Sequence, residues 1–311
     1  MIFSITGVAG FIGSRLAKAV LDHGYEVVGV DNLADIPYPA EPKLGNLEAL
    51  RRRDGFQFHE LDLAAGVPGS LLEGSDVIVN LAGLGGLQPS WDHFDRYLAA
   101  NASAALAVAR AAYHAGCPRV VHASTSSVYG RFALGDEDTP LEPVSPYGIS
   151  KLAGEHAFRT VFADHDALVI LRLFSVYGAG QRSDMGLYKM IEALLGNRPF
   201  AVHGTGEQSR GFTHVRDCVD AILLAANSNR PGVYNVGGDK GYDLRTVIGM
   251  AEELSGRHLR RVQGEPRAGD QRVALADTGR LRRELGWEPH VTLRDGLREQ
   301  IDWQAGCGGI T

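Results

Sequence analysis

The chain begins with Met1-Ile-Phe-Ser-Ile-Thr-Gly-Val-Ala-Gly-Phe-Ile-Gly13, and this stretch decides the fold. Residues 2–5 form a short apolar run with β-branched members, which predicts a buried strand. Gly7, Gly10 and Gly13 then predict a tight turn into a helix. Such a turn points free backbone N–H groups and the positive end of the helix at one spot, where a pyrophosphate fits. Glycine is required because a Cβ would block the turn or the approach of the phosphates.

The sequence after this turn completes a dinucleotide-binding unit. The predicted helix ends near Gly24 and carries its apolar side chains on one face: Phe11, Leu16, Ala17, Val20 and Leu21. A second strand over residues 26–30 leads to Asp31, near the position where such units carry an acidic residue. A carboxylate there accepts hydrogen bonds from the adenosine ribose hydroxyls and repels a 2′-phosphate. We therefore predict NAD rather than NADP, and favour this interpretation over an ordinary strand–turn–helix with a surface Asp.

Chain length, composition and net charge indicate a globular protein and argue against several functional classes. A chain of 311 residues with 44% hydrophobic and 22% charged residues suffices for one large domain or two unequal ones. A net charge of −6 argues against nucleic-acid binding. Met1 leads directly into the first strand and no apolar stretch is long enough to span a bilayer, so we expect a cytoplasmic protein without a membrane partner. The cysteines and histidines show no disulfide or ligand spacing, so we predict no metal.

Strands and helices continue to alternate along the chain. We predict strands over residues 56–61, 77–82 and 119–123 and one helix over residues 91–115. A polar stretch after Asp31 is predicted to be a surface loop because it contains Pro37, Pro39 and Pro42. This rhythm predicts an α/β fold with a doubly wound parallel sheet.

Two segments at predicted strand ends have the composition of cofactor contacts. Asp62 and Leu63 follow the third strand, and the Asp62 carboxylate either accepts from the adenine amino group or caps a turn. The fourth strand ends at Leu81-Ala82 and leads into Gly83-Leu-Gly-Gly86. Small residues there allow the backbone to pass close to a cofactor.

The fifth strand leads into Ser124-Thr-Ser-Ser-Val-Tyr-Gly130, which is rich in hydroxyl groups. These lie at the carboxyl edge of a central strand, where open α/β sheets bind ligands. Ser145-Pro146 then predicts the cap and first position of a helix. Tyr147 and Lys151 are four residues apart and share one face of that helix. A Tyr-x-x-x-Lys pair is common by chance, but here it follows a dinucleotide turn and a hydroxyl-rich strand end.

The order of these motifs resembles the extended short-chain dehydrogenase/reductase family, specifically its NAD-dependent nucleotide-sugar epimerases, decarboxylases and dehydratases. The resemblance covers essentially the whole chain and continues through residues 171–178, 204–215, 234–237, 266–270 and 285–289. It implies a Rossmann NAD-binding domain of residues 1–173 plus 210–236. A smaller, mostly helical C-terminal domain for the nucleotide sugar would comprise residues 174–209 plus 237–311. It also implies a homodimer formed through the helices at 91–115 and 146–164.

The resemblance also implies a role for each site residue. Tyr147 would be the general base, Lys151 would lower the pKa of its phenol and bind the nicotinamide ribose, and Thr125 would orient or relay the proton. Residues matching the NAD site are Gly7, Gly10, Phe11, Ile12, Gly13, Asp31, Asn32, Asp62, Leu63, Leu81, Ala82, Gly83, Tyr147 and Lys151. Residues matching the substrate site are Ser126, Ser127, Ser175, Arg182, Arg210 and Arg267.

Within the family, the sequence is most similar to UDP-glucuronate 4-epimerases. Ser175 stands where many relatives carry Asn, and Ser127 stands where UDP-glucuronate decarboxylases carry Glu; dehydratases carry Asp-Glu at Ser126-Ser127. The implied reaction converts UDP-glucuronate to UDP-galacturonate through a transient 4-keto sugar. Arg182 would supply charge either to the carboxylate or to the diphosphate.

Other interpretations remain open. Gln88 replaces an Arg that is usual in glucuronate-specific relatives, so one contact to the substrate's carboxylate is missing. A UDP-glucose or UDP-GlcNAc 4-epimerase and a UDP-glucuronate decarboxylase are the enzymatic alternatives. A catalytically idle NAD-binding sensor or scaffold is the alternative of another class, and the presence of both Tyr147 and Lys151 argues against it.

Overall fold

A parallel sheet of seven strands lies at the centre of the protein. The computed structural model describes residues 1–307 without the side chain of Cys307; residues 308–311, the end of the predicted 237–311 segment, lie outside the described part. From one edge to the other the strands are β3 (Phe56–Glu60), β2 (Glu26–Asp31), β1 (Ile2–Thr6), β4 (Val77–Asn80), β5 (Val120–Thr125), β7 (Leu168–Leu173) and β12 (Gly232–Val236). Strand order reverses between β1 and β4, which creates a crevice at their carboxyl ends.

Helices cover both faces of this sheet. Helices α1 (Phe11–Asp22) and α8 (Val215–Asn227) bury Leu16 and Ile222 in one hydrophobic core. Helices α5 (Ala104–His114) and α6 (Pro146–Val161) bury Val108 and Phe158 in another. Side chains that alternate along each strand supply both cores, because successive strand residues point to opposite faces. The predicted doubly wound α/β fold and the predicted apolar face of α1 are confirmed.

The helical structure predicted over residues 91–115 is confirmed for most of the segment, but it is not one regular α-helix. The segment divides into α3 (Pro89–Asp92), α4 (Phe94–Leu98), a π-helical turn at Ala99–Ser103, and α5. His93 breaks the helix with φ −132°. The extra residue of the π turn lies where Asn101 bonds the loop after β4, and π turns of this kind are frequent at functional sites.

The predicted proline-rich surface loop also needs correction. Pro42 lies in the first turn of α2 (Glu41–Arg51), where a residue without an N–H is tolerated. Tyr38 and Lys43 are each only 7% exposed, so the segment after β2 folds inward. Small shifts also occur at strand ends: β4 stops at Asn80, and β5 continues through Thr125.

A second group of elements lies mainly in the C-terminal half. Its strands are β6 (Phe132–Ala133), β8 (Val176–Tyr177), β9 (Pro199–His203), β10 (Ser209–Gly211), β11 (Thr213–His214), β13 (Gly241–Asp243), β14 (Arg260–Gly264) and β15 (Val273–Ala274). Its helices are α7 (Gly186–Leu195), α9 (Leu244–Ser255), α10 (Gly279–Leu285) and α11 (Leu293–Cys307).

These elements build a second core. Helices α7, α9 and α11 share a hydrophobic cluster that contains Met190, Ile248 and Leu297. We propose residues 174–209 plus 237–311 as the substrate domain and 1–173 plus 210–236 as the NAD-binding domain. Helix α10 lies at their border, since Leu281 packs into the core of the main sheet.

Within residues 1–307 no helix has the length and apolar character needed to cross a membrane. The same residues contain no cluster of three or more His, Cys, Asp or Glu side chains able to hold a metal ion.

Candidate active site

The glycine-rich turn packs against its neighbours more closely than any side chain would permit. Gly7 has φ 70°, and its N–H donates to the carbonyl of Val30 at 2.7 Å. A Cβ on Gly7 would lie 2.8 Å from the backbone nitrogen of Ala82, and one on Gly13 would lie 2.1 Å from the carbonyl oxygen of Gly7. Because distances below 3 Å are repulsive, only glycine permits this arrangement. The turn therefore offers bare backbone to a ligand above it.

A single cavity lies above this turn at the crevice of the sheet. Its lining includes every residue predicted to contact NAD, from Gly7 on the first turn to Lys151 on α6. Tyr38, Lys43, Ser124 and Arg182 line it as well. The glycine cradle, the free N-terminal end of α1 and an acidic residue at the end of β2 together fit a dinucleotide, and the roles of individual residues toward NAD stay predictions.

The carboxylate of Asp31 is fixed by backbone donors. It is 8% exposed, and its two oxygens accept from the N–H of Ala9 at 3.1 Å and of Leu33 at 2.9 Å. Asp62 also lines the cavity, and one of its oxygens accepts from the N–H of Ala64 at 3.0 Å. The turn-capping alternative for Asp62 is thus realised, while its other oxygen has no hydrogen bond within the described residues.

Lys151 is buried beneath the cavity. Ser145 caps α6 as predicted, accepting from the N–H of Gly148 at 3.1 Å. The Lys151 ammonium donates to the carbonyl of Ala123 at 2.5 Å. Burial lowers the pKa of Lys151 to about 8, against the opposing influence of the Glu155 carboxylate. The lysine is therefore held at the end of β5 by a backbone acceptor.

Tyr147 lies on the same face of α6 and packs edge-on against Tyr97, with ring centroids 6.2 Å apart. Burial raises the pKa of Tyr147, while hydrogen bonding by Thr125 and the positive charge of Arg182 act in the opposite direction. The pKa of Tyr147 is therefore raised, whereas we expected Lys151 to lower it. The reason is that desolvation of a phenolate outweighs the nearby cations in the protein alone.

A buried ion pair lies one turn farther along α6. Glu155 is 1% and Arg172 is 2% exposed, and the guanidinium donates to both carboxylate oxygens, at 3.0 and 2.9 Å. Ser124 also donates to Glu155, and Arg172 donates to the hydroxyl of Tyr129 at 2.8 Å. This network joins α6 to β5 and β7 and thereby fixes the helix that carries Tyr147 and Lys151.

The hydroxyl-rich turn after β5 is held from the opposite end of the chain. Ser126 and Ser127 are buried, and Gln271 donates to the carbonyls of Ser126 at 3.1 Å and Gly130 at 2.9 Å. Arg210 donates to the carbonyl of Gln271 at 2.6 Å. Gln271 thus connects Ser126 to Arg210.

The other predicted substrate residues are placed differently. Ser175 has φ 34°, a left-handed conformation in which Asn and Asp are favoured among non-glycine residues. Arg267 is exposed. Gln88 donates to the carbonyl of Ala268 at 3.1 Å, so it holds the loop that carries Arg267.

Arg182 lies where the two groups of elements meet. It forms a bidentate ion pair with Asp184, at 2.9 and 2.7 Å, and donates to the carbonyl of Gly85 at 3.0 Å. Its guanidinium also lies 5.2 Å from the ring centroid of Tyr38. Asp184 neutralises much of the charge that the predicted carboxylate contact would require.

Sequence reasoning missed several residues that shape this site. Asn101 accepts from the N–H of Leu84 at 2.8 Å and donates to its carbonyl at 2.9 Å and to the Ser150 hydroxyl at 2.9 Å. The only sequence feature that could have indicated Asn101 is that it is an amide residue in an alanine-rich stretch. Gln271, Tyr38 and Lys43 carried no local signal, because their positions depend on distant parts of the chain.

Fold and site together define a nicotinamide-dinucleotide-dependent enzyme of the α/β class. A family model described as the NAD dependent epimerase/dehydratase family matches residues 3–237. The chain belongs to this family, which confirms the predicted family and its NAD cofactor.

Individual relatives match over nearly the full length. The uncharacterised UDP-glucose epimerase YtcB of Bacillus subtilis is 37% identical over 305 residues, covering 96% of each sequence. UDP-glucuronate 4-epimerase of Thermodesulfobacterium geofontis is 29% identical over 308 residues, covering 97% of this chain and 95% of the relative. A crystal structure of UDP-glucuronic acid 4-epimerase from Bacillus cereus with UDP-glucuronic acid and NAD superposes with a TM-score of 0.94 at 35% identity, covering 98% of this chain and 99% of that one.

The position of Asp31 generates a test of cofactor preference. Asp31→Asn removes the negative charge that would repel a 2′-phosphate while keeping one acceptor oxygen for the backbone. We expect the preference for NAD over NADP, measured as the ratio of dissociation constants by calorimetry, to fall by about tenfold or more. Asp62→Asn is the matched control and should leave the ratio unchanged. An unchanged ratio in Asp31→Asn would contradict this assignment.

Proposed function

We propose that this protein is a cytoplasmic enzyme that interconverts the C4 epimers of a UDP-sugar, with UDP-glucuronate and UDP-galacturonate as its substrate pair. The observation that carries this proposal is that Tyr147 and Lys151 line the dinucleotide cavity beside a turn with serine at both positions 126 and 127. Neither position supplies the acid that the family's dehydratases and decarboxylases carry there. The relatives named as UDP-glucose and UDP-glucuronate epimerases support the same reaction type.

Tyr147 would remove the proton of the sugar's C4 hydroxyl, with Thr125 orienting that hydroxyl. NAD, when bound, supplies reversible acceptance of the C4 hydrogen with its electron pair, and its positive ring favours the phenolate. Lys151 would hold the nicotinamide ribose and add a second positive charge near Tyr147. The proton returns from Tyr147 when C4 regains its hydrogen on the opposite face, so that the reaction has no net redox change.

The serine hydroxyls have a second task if the substrate carries a carboxylate. Oxidation at C4 of glucuronate creates a ketone β to the carboxylate, and such a compound loses CO₂ when the bond to the carboxylate stands perpendicular to the ring. An epimerase must hold the carboxylate in another orientation. Ser126, Ser127 and Ser175 can donate hydrogen bonds for this purpose without adding negative charge.

Inversion requires the 4-keto sugar to rotate by half a turn while the nucleotide stays bound. The site must therefore hold the diphosphate firmly and the hexose loosely. We assign Arg210 and Arg267 to the diphosphate. Arg210 donates to the carbonyls of Ser209 and Gln271, whereas Arg267 is exposed.

UDP-glucose is the second candidate substrate. The Arg182 guanidinium forms an ion pair with Asp184, and the Gln88 amide donates to the carbonyl of Ala268. Both groups therefore already have partners within the protein, which favours a substrate without a carboxylate. The 37% identical relative from Bacillus subtilis is named as a UDP-glucose epimerase. Hydroxyl groups such as those of Ser126 and Ser127 also suit a neutral C6 hydroxymethyl group.

The substrate assignment is tested by product analysis. We expect UDP-glucuronate to give UDP-galacturonate without release of CO₂. Liquid chromatography with mass spectrometry measures the products. With substrate deuterated at C4, the deuterium should be retained in the product. CO₂ with a UDP-pentose would identify a decarboxylase, and turnover of UDP-glucose or UDP-GlcNAc alone would identify a neutral-sugar epimerase. Absence of C4 exchange on every UDP-hexose would favour a non-catalytic NAD-binding protein.

Replacement of Tyr147 tests the proposed base. Tyr147→Phe should lower kcat by about 10² to 10⁴, the usual contribution of general base catalysis, with NAD binding retained. The matched control is Tyr97→Phe, which keeps the neighbouring ring and loses only the hydrogen bond to the Gly85 carbonyl. We expect less than a tenfold effect from it. A loss of only a few-fold in Tyr147→Phe would exclude this phenol as the base.

We propose a homodimer that buries the outer faces of α5 and α6. Tyr113 on α5 is 47% exposed and Ile149 on α6 is 46% exposed, although both are large apolar side chains. Ile149→Glu should give a monomer in light scattering, because a charge would have to be desolvated at the interface. Leu224→Glu on α8, 37% exposed, is the control and should remain dimeric. A dimer that survives Ile149→Glu would contradict this interface.

A further inference from the structure

Lys43 is a buried lysine at the wall of the cofactor cavity. It lies in the first turn of α2, is 7% exposed, and lines the cavity together with Gly10 and Asp31. Its ammonium donates to the carbonyl of Ala34 and lies 4.7 Å from the ring centroid of Tyr38. No carboxylate within residues 1–307 forms an ion pair with it. The Asp31 carboxylate favours the charged form of Lys43 from beyond ion-pair distance, but burial outweighs it and lowers the pKa of Lys43. An anionic ligand in the cavity would therefore stabilise the ammonium.

Other contacts place Lys43 next to the glycine-rich turn. Asn46, three residues later on the same face of α2, donates to the carbonyl of Ala9 at 2.9 Å. Ala9 lies within the turn, between Gly7 and Gly10, and its N–H donates to Asp31. The helix that carries Lys43 is thereby tied to the backbone on which a diphosphate would lie.

Tyr38 fixes the direction of the lysine side chain. Its ring is 7% exposed and lies between two cations, with the Lys43 ammonium 4.7 Å and the Arg182 guanidinium 5.2 Å from its centroid. Such contacts are favourable when the cation is desolvated. They hold Lys43 toward the cavity, while Arg182 already has Asp184 as its anionic partner.

We propose that Lys43 binds the diphosphate of the dinucleotide cofactor and supplies the full positive charge that the glycine-rich turn lacks. The backbone amides of the turn and the end of α1 carry only partial charges, whereas the diphosphate carries two negative charges. Lys43 compensates part of this charge, and the bound diphosphate in turn becomes the counterion of Lys43. The inference rests on the NAD cofactor that the family match shows, and not on the proposed epimerisation.

Binding measurements on the full-length chain test this role without turnover. In Lys43→Gln, which retains a donor for Ala34, the dissociation constant of ADP-ribose by calorimetry should rise about tenfold or more, the effect of one charge-assisted hydrogen bond. Affinity for adenosine, which lacks the diphosphate, should change less than twofold. The salt dependence of ADP-ribose binding should also weaken. Lys43→Met should behave in the same way, and Lys43→Arg should recover most of the affinity.

Lys18→Met is the matched control, since Lys18 is a surface lysine of α1 paired with Asp22. Equal losses for ADP-ribose and adenosine would reduce Lys43 to a structural residue and overturn the proposal. Wild-type affinity for ADP-ribose in Lys43→Gln would overturn it as well, as would a loss confined to UDP, which would assign Lys43 to the substrate's diphosphate. None of these outcomes bears on whether the loaded enzyme epimerises a UDP-sugar, so the two proposals fail separately.

Discussion

Close packing of bare backbone after β1 is the constraint on which the rest of the structure depends. The carbonyl of Val30, the start of the loop after β4 and the first turn of α1 all meet Gly7 within hydrogen-bond or van der Waals distance. Any side chain there would separate β2, β4 and α1, and with them the walls of the crevice. Asp31 and Asn46 then bind the same turn from outside. The glycine-rich part of the cavity is therefore formed by backbone that close packing and hydrogen bonds hold in place.

Helix α6, which carries Tyr147 and Lys151, is positioned by a different interaction, the buried pair of Glu155 and Arg172. Burying two charges gains little net stability, because desolvation offsets their attraction, but removing one partner costs about 3–5 kcal/mol. Such a pair therefore enforces geometry more than it adds stability. Here it fixes α6 against β5 and β7, and Ser124 shares the Glu155 carboxylate. The reactive face of α6 is thus held in register with the hydroxyl-rich end of β5.

The sequence sufficed for the parts of the protein that depend on local patterns. Glycine spacing, the apolar face of α1 and the cap at Ser145 all act within one turn, so the Rossmann sheet and the start of α6 were predictable. The break at His93 and the π turn at Ala99–Ser103 were not predicted, and Asn101 in that turn bonds the distant Leu84. Gln271 donates a hydrogen bond to the carbonyl of Ser126, which is 145 residues away in the sequence, and no local pattern predicts such a contact. Burial of Lys43 and Tyr38 likewise depends on where the segment after β2 folds.

The pKa of Tyr147 shows why the completed site, rather than the motif, determines reactivity. In the protein alone, burial raises the pKa of Tyr147 and so favours its neutral phenol over the phenolate, and burial lowers the pKa of Lys151 to about 8. A positive charge brought beside Tyr147 shifts its pKa downward, and a nicotinamide ring carries that charge only in its oxidised form. The pKa of Tyr147 would therefore follow the oxidation state of the cofactor. In the mechanism we propose, the same phenol would accept a proton when the sugar is oxidised and donate it when the ketone is reduced, which is the sequence that an inversion at one carbon requires.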